Sequence, residues 1–288
     1  MSIISAETKR SGELAALTQA ESTYIILMHD GNGLKQITLD AALSGLVYNN
    51  AGAHNAIYRG KYLGDTVTAE QWAQIKAGTF KDMYVGDYWV INGVTWRIGG
   101  FDYWYGTGDT ACSLHHILIV PDSCIATGVK MNDTAITTGA YVGSDYYTGN
   151  HSNTGKATAK NAIEAAFGAA HILSHREYLK NATSNGYESA GSYYDSTFEL
   201  MTEQMVYGGK IFGNVVCGTN VPQAHTIDNA QIPLFAHDHS KICNRSPWWL
   251  RDVVSSPYFA IVSSYGDAYY DNANLALGIR PAFGIYQS

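Results

Sequence analysis

Charge is scarce in this chain: Asp, Glu, Lys and Arg together make up 15% of its 288 residues. The 18 Lys and Arg are outnumbered by 25 Asp and Glu, for a net charge of -7, and they form no basic run. Nucleic-acid binding needs clustered cations to displace phosphate counterions, so this composition argues against nucleic acid as a partner. No apolar stretch approaches the roughly 20 residues that span a bilayer, and the segment through Thr8, Lys9 and Arg10 lacks the apolar core of a secretion signal. The chain is therefore expected to be made in the cytoplasm without a membrane partner, and to reach the outside by lysis or on a particle. Cysteine is limited to Cys112, Cys124, Cys217 and Cys243, with none of the paired spacings that hold zinc or run thiol exchange. These cysteines are expected to be reduced and buried, with a Cys217–Cys243 pair left open.

What is abundant is Gly (29), Tyr (21) and apolar residues (46%). Such a chain can bury one sizeable core without metal or disulfide staples. Its balance is that of a loop-rich β protein with an adhesive surface.

Along the chain, Ser11 to Ala20 has helical spacing. The apolar run Thr23 to Met28, a turn at His29 to Gly33 and the alternating stretch Leu34 to Leu39 predict a hairpin, followed by a short helix from Asp40 to Leu46. A unit this small has too little core to be stable by itself, so residues 1–50 are expected to form an attachment and oligomerisation module. The Asn, Gly and Ala-rich stretch Asn49 to Asn55 reads as a loop at a domain boundary. In residues 51–288, the patterns predict a helix over Thr68 to Gly78 and a hairpin of Tyr88 to Ile91 and Val94 to Ile98 about Asn92-Gly93. They further predict a strand at Ile117 to Val120, helices at Thr158 to Ala170, His175 to Asn181 and Phe198 to Val206, and an irregular surface from Ser184 to Ser196. Short strands between long loops fill the remainder, which makes the expected class α+β.

The segment Trp248-Trp249-Leu250-Arg251, Phe259-Ala260-Ile261-Val262, Gly266 and Gly278-Ile279-Arg280-Pro281-Ala282-Phe283 resembles the C-terminal half of C-type-lectin-fold domains of phage and prophage proteins. The likeness extends to Ile57-Tyr58-Arg59-Gly60-Lys61, Gly86-Asp87-Tyr88-Trp89-Val90-Ile91-Asn92-Gly93, Arg97-Ile98 and Met205-Val206-Tyr207-Gly208-Gly209, covering most of residues 55–288. Glu13 to Thr18, Asp30-Gly31 and Lys35 to Leu39 look like the module that opens many phage fibre proteins. The resemblance implies a C-type-lectin-like domain with long loops behind a small N-terminal helix-hairpin module. It also implies a virion location, as a fibre or receptor-binding protein that attaches through residues 1–50, assembles as a homotrimer and binds a host cell-surface protein or glycan. Trimerisation would multiply a weak single-site affinity.

Some members of this fold family are variable proteins of diversity-generating retroelements, which randomise adenines. Substitution at the adenines of an Asn-type codon cannot produce Lys, Glu, Gln, Met or Trp, and Asp252 to Leu277 contains none of them. Tyr and Asn among small Ser and Gly is also a paratope composition, in which a ring contributes wide contact area at low entropic cost. The candidate ligand residues are Asn244, Arg245, Ser246, Ser256, Tyr258, Ser264, Tyr265, Asp267, Tyr269, Tyr270, Asn272 and Asn274, with Asp271 a further candidate. Some of these tyrosines are expected to pack into the core against Trp248 or Trp249. Arg251 and Arg280 are assigned to structure, as guanidinium groups that tie backbone carbonyls together.

No catalytic residue, cofactor or metal is nominated. His115-His116 and His237-Asp238-His239 are fragments of a metal site at most. The Glu-Pro-Asn and Trp-Asn-Asp motifs of calcium-dependent lectins do not occur, and the reactive cysteine pair of the formylglycine-generating enzymes, which share the fold, is missing in its expected form. Structural decoration of a virion without ligand binding is the alternative to receptor binding.

Overall fold

The computed structural model describes residues 25–29, 34–38, 49–136, 154–179, 192–213 and 230–288. The chain divides into two compact units, Met1–Tyr48 and Asn49–Ser288. In the first, β1 (Ile25–His29) and β2 (Leu34–Thr38) form the antiparallel hairpin read from the sequence, with Ile25 opposite Thr38 and His29 opposite Leu34. The helices expected at residues 11–20 and 40–46 lie outside the described residues.

The second unit is α+β, with a few short helices among several sheets. Asn49 to Asn55 is not a loop throughout: Asn50 caps the helix α1 (Ala51–Asn55) by accepting the Ala53 amide. The helix α2 (Ala69–Ala77) starts at a reciprocal capping box between Thr68 and Gln71 and stops at Gly78 in the left-handed region, at φ 65°. After β3 (Tyr62–Gly64), the hairpin of β4 (Tyr88–Ile91) and β5 (Val94–Phe101) turns at Asn92 and Gly93, both at positive φ. Next come β6 (Ile117–Pro121), β7 (Ala126–Val129) and α3 (Thr154–Phe167), whose Ala159, Ile163 and Phe167 face the core.

Three sequence expectations need correction. His175 to Leu179 is the strand β8, paired with β9 (Ser192–Ser196), and not a helix. Pairing with β9 along all five residues overrides the local helix propensity. The strand at Ser192–Ser196 likewise replaces the last part of an expected irregular surface. Phe198–Leu200 is the strand β10, paired with β15 (Pro281–Ile285), and a helix α4 (Glu203–Tyr207) begins only after Thr202 caps it. α5 (Pro233–His237) follows.

Two larger sheets organise the core. One is ordered β10-β15-β6-β5-β4-β3; the other is ordered β13-β12-β11-β14-β7, built from β11 (Trp248–Ser255), β12 (Tyr258–Val262), β13 (Ala268–Asn272), β14 (Leu277–Ile279) and β7. Trp89, Trp96, Trp104, Trp248 and Trp249 are all essentially inaccessible, and one cluster of buried side chains runs through both sheets.

Candidate functional site

The C-terminal sheet begins as a rigid platform. Trp248 and Trp249 sit opposite Val262 and Ile261, and the Trp249 indole donates to the Val129 carbonyl at 2.8 Å, which fastens β11 to β7. Arg280 is fully buried and does what the sequence suggested. Its Nε donates to the Pro121 carbonyl at 2.6 Å, one terminal nitrogen donates to the carbonyls of Lys241 at 2.8 Å and Ile242 at 3.3 Å, and the guanidinium lies over Trp248 and Phe235. Burial lowers its pKa to about 10, so it stays charged at neutral pH.

Arg251 is structural as well, but through an acid: its guanidinium pairs with the buried carboxylate of Glu177. Glu177 also accepts from His175 Nε2 at 3.1 Å. Burial alone would raise the Glu177 pKa, but the Arg251 charge and the two hydrogen bonds hold it well below the usual range.

Against this platform, the candidate ligand residues lie at the two ends of β12, a strand of roughly 16 Å at about 3.3 Å per residue, and beside its middle on β13, where Tyr269 and Tyr270 stand opposite Ile261 and Ala260. At the turn into β13 lie Ser264, Tyr265 and Asp267. Asp267 accepts from the Ser263 hydroxyl, Gly266 adopts φ 92°, and the Tyr207 phenol donates to the Gly266 carbonyl at 3.0 Å. Burial and the nearby carboxylates of Asp267 and Glu203 push the Tyr207 pKa up, so it remains a donor. Tyr265 is 89% exposed. Cys243 reaches the Ser264 carbonyl at 3.3 Å, which places the Asn244 to Ser246 turn beside the same end. Both ends of the Asn244 amide are engaged within the fold, by the Ser246 N–H at 3.0 Å and by Cys124 Sγ at 3.1 Å, while Arg245 is exposed at φ 61°. The thiols of Cys112, Cys124 and Cys243 are free and only part-buried, not fully buried as expected; Cys217 lies outside the described residues.

At the other end are Ser256, Tyr258, Asn272 and Asn274, with Tyr258 directly opposite Asn272. Tyr270 opposes Ala260 and so shares a face with Tyr258, their rings 5.1 Å apart. The Tyr269 ring lies parallel to that of Tyr270 at 5.2 Å. Tyr269 is 51% exposed, and Tyr258 and Tyr270 are half-buried. None of the four candidate tyrosines is buried, against the expectation that some would join the core; Phe259, Trp248 and Trp249 fill the space beneath.

Comparison with protein-family models, with curated proteins and with solved structures finds no match to this chain. The geometry alone therefore carries the reading of the site.

One contributor escaped sequence reading. Phe212 sets its ring edge against Tyr270 at 5.2 Å. Its loop is held from below by Glu203, which is fully buried and accepts the amides of Ile211 at 2.9 Å, Phe212 at 3.0 Å and Gly213 at 2.7 Å. Glu203 in turn donates its own amide to Asp252 of β11 at 2.6 Å. An Ile-Phe pair within a glycine-flanked loop was the available signal; the buried acid that holds it lies eight residues upstream, inside a helix.

Elsewhere, His116 is buried and neutral. Its Nε2 accepts the Trp104 amide at 3.0 Å, and burial drives its pKa down to about 3. His115 faces Asp102 at 2.7 Å, and burial, the largest influence on Asp102, keeps that carboxyl above its ordinary pKa despite the two histidine contacts. His237 bonds the Asn55 carbonyl at 2.8 Å. Among the described residues, no three His, Cys, Asp or Glu side chains come together as a metal would require.

Proposed function

We propose that this chain is a receptor-binding protein of the phage-fibre kind, in which residues 51–288 form a C-type-lectin-like domain and residues 1–50 attach it to a virion as a trimer. Its ligand is a host-surface protein or glycan, met by the tyrosine-bearing side of β12 and β13. The observation that carries this reading is a division of labour along neighbouring strands: Trp248, Trp249 and Phe259 are buried, whereas Tyr258, Tyr265, Tyr269 and Tyr270 all reach the surface, three of them ring to ring. A rigid base with outward tyrosines minimises the entropy lost on binding. The absence of Lys, Glu, Gln, Met and Trp from 252–277 supports diversification of this face by a retroelement.

The test is binding of the fluorescently labelled full chain to cells of the bacterium that carries its gene. Saturable binding abolished by a combined Y258S, Y269S and Y270S variant that melts like wild type is the expected result. Equal binding by that variant would move the ligand surface away from this face, and no saturable binding by the wild type would favour virion decoration.

A further inference from the structure

We infer that the loop Lys210–Gly213 is a second, fixed segment of the ligand surface, that Glu203 is its positioning residue, and that the occupant is a protein. The inference rests on the receptor-binding reading above and extends it to residues outside the tyrosine-rich strands.

Three observations converge. First, the Phe212 ring extends the row Tyr258–Tyr270 by one more aromatic at the same spacing, 5.2 Å against 5.1 Å. Second, the loop is pre-shaped from within. Three successive amides converge on one buried carboxylate, the carboxylate's own helix is tied to β11 through Asp252, and Lys210 Nζ lies 4.0 Å from that same Asp252. A Cβ on Gly213 would meet Asp252 at 3.0 Å and Glu203 at 3.1 Å, so a side chain there would have to push one of them aside by a few tenths of an ångström. A loop ordered before binding loses little entropy on binding, which is how a binding surface gains affinity without further contacts. Third, the surface is not aromatic and polar alone: Ile211 is 52% exposed and Leu275, just beyond β13, is 41% exposed. Sugar rings are met by aromatic faces and hydrogen-bonding groups. Exposed branched aliphatic side chains add area that only an apolar partner surface can cover, as at the centre of protein interfaces.

The experiment titrates the full chain onto cells of the gene-bearing bacterium. F212A and I211S, both at the surface, should keep the wild-type melting transition and weaken apparent affinity at least tenfold. E203Q should also weaken affinity, with a lower melting transition because three buried amides lose a charged acceptor, and adding it to an F212A and I211S double variant should weaken affinity no further, because Glu203 acts through those two side chains. Fully additive losses would overturn the positioning role, since a general structural defect adds to the loss of a contact. Wild-type affinity in both F212A and I211S, with loss in the tyrosine variant, would overturn the loop's part and leave the receptor-binding reading standing. No wild-type binding at all would overturn both. Proteinase-treated cells should lose binding and periodate-oxidised cells keep it; the reverse pattern would overturn the protein assignment.

Discussion

Arg280 Nε and the Pro121 carbonyl oxygen meet at 2.6 Å, joining the point where the chain passes from β14 in one sheet to β15 in the other to the last residue of β6. The same guanidinium reaches Lys241 and Ile242, so one side chain holds three chain segments that are remote in sequence. Lysine presents a point charge on a flexible stem and cannot span all three. R280K should therefore lower unfolding free energy by roughly 2–4 kcal/mol, through lost charge-assisted hydrogen bonds and a less well satisfied buried cation. Urea denaturation of the two proteins measures it.

The Arg251–Glu177 pair predicts a different pattern. Removing one partner leaves a buried, uncompensated charge, at a cost of about 3–5 kcal/mol, whereas removing both charges removes the penalty with the attraction. R251M should be strongly destabilised, and R251M combined with E177L should recover a large part of the loss. A double mutant as unstable as R251M would show that other contacts of these side chains dominate.

Acid sensitivity follows from His116. Its folded pKa, about 3, lies below the unfolded value of 6.5, so below pH 6.5 the unfolded chain takes up a proton that the folded chain refuses. The stability is fully present above pH 6.5 and is lost as pH falls towards 3, with a slope of at most ~1.4 kcal/mol per pH unit from this group. Glu177, held low in the folded state, loses stability in the same direction below the ordinary carboxylate range. In H116Q, whose amide can both accept and donate, the urea midpoint should change less between pH 6.5 and 4 than in wild type. Parallel profiles would assign the acid sensitivity to other groups.

Surface and core aromatics of neighbouring strands should separate cleanly. W249A empties a buried site and loses the bond to Val129, at a cost of roughly 3–5 kcal/mol. Y265S, at a nearly fully exposed turn position, should change stability by less than about 0.5 kcal/mol. Thermal melting of the two variants checks both values.

How far local pattern reaches is visible in particular elements. The Asn92-Gly93 hairpin and the capped helix at Ala69–Ala77 were legible because their determinants are adjacent residues: two positive-φ positions in one case, a capping box and a left-handed glycine in the other. His175 to Leu179 misled because Arg, Glu, Tyr and Leu accept a helix, and only β9 and the buried contact with Arg251 make it a strand. In the candidate site, the tyrosines were legible by composition. Their outward direction was not: β12 is buried without a break from Phe259 to Val262, so it carries no alternation to mark a solvent side, and which residues of β13 meet solvent depends on what packs against that strand.

By itself, then, the sequence determined the α+β class, the hairpins, the helix with its caps, the buried Arg280 and the stretch of chain rich in tyrosine. Each of these depends on contacts a few residues apart or on the chemistry of a single side chain. Only the tertiary structure decided that the candidate tyrosines stand outward along β12 and β13, that Arg251 pairs with Glu177, and that Glu203 sets Phe212 beside Tyr270. Those depend on which distant segments come to share one buried volume, and the separation along the chain leaves no local trace of it.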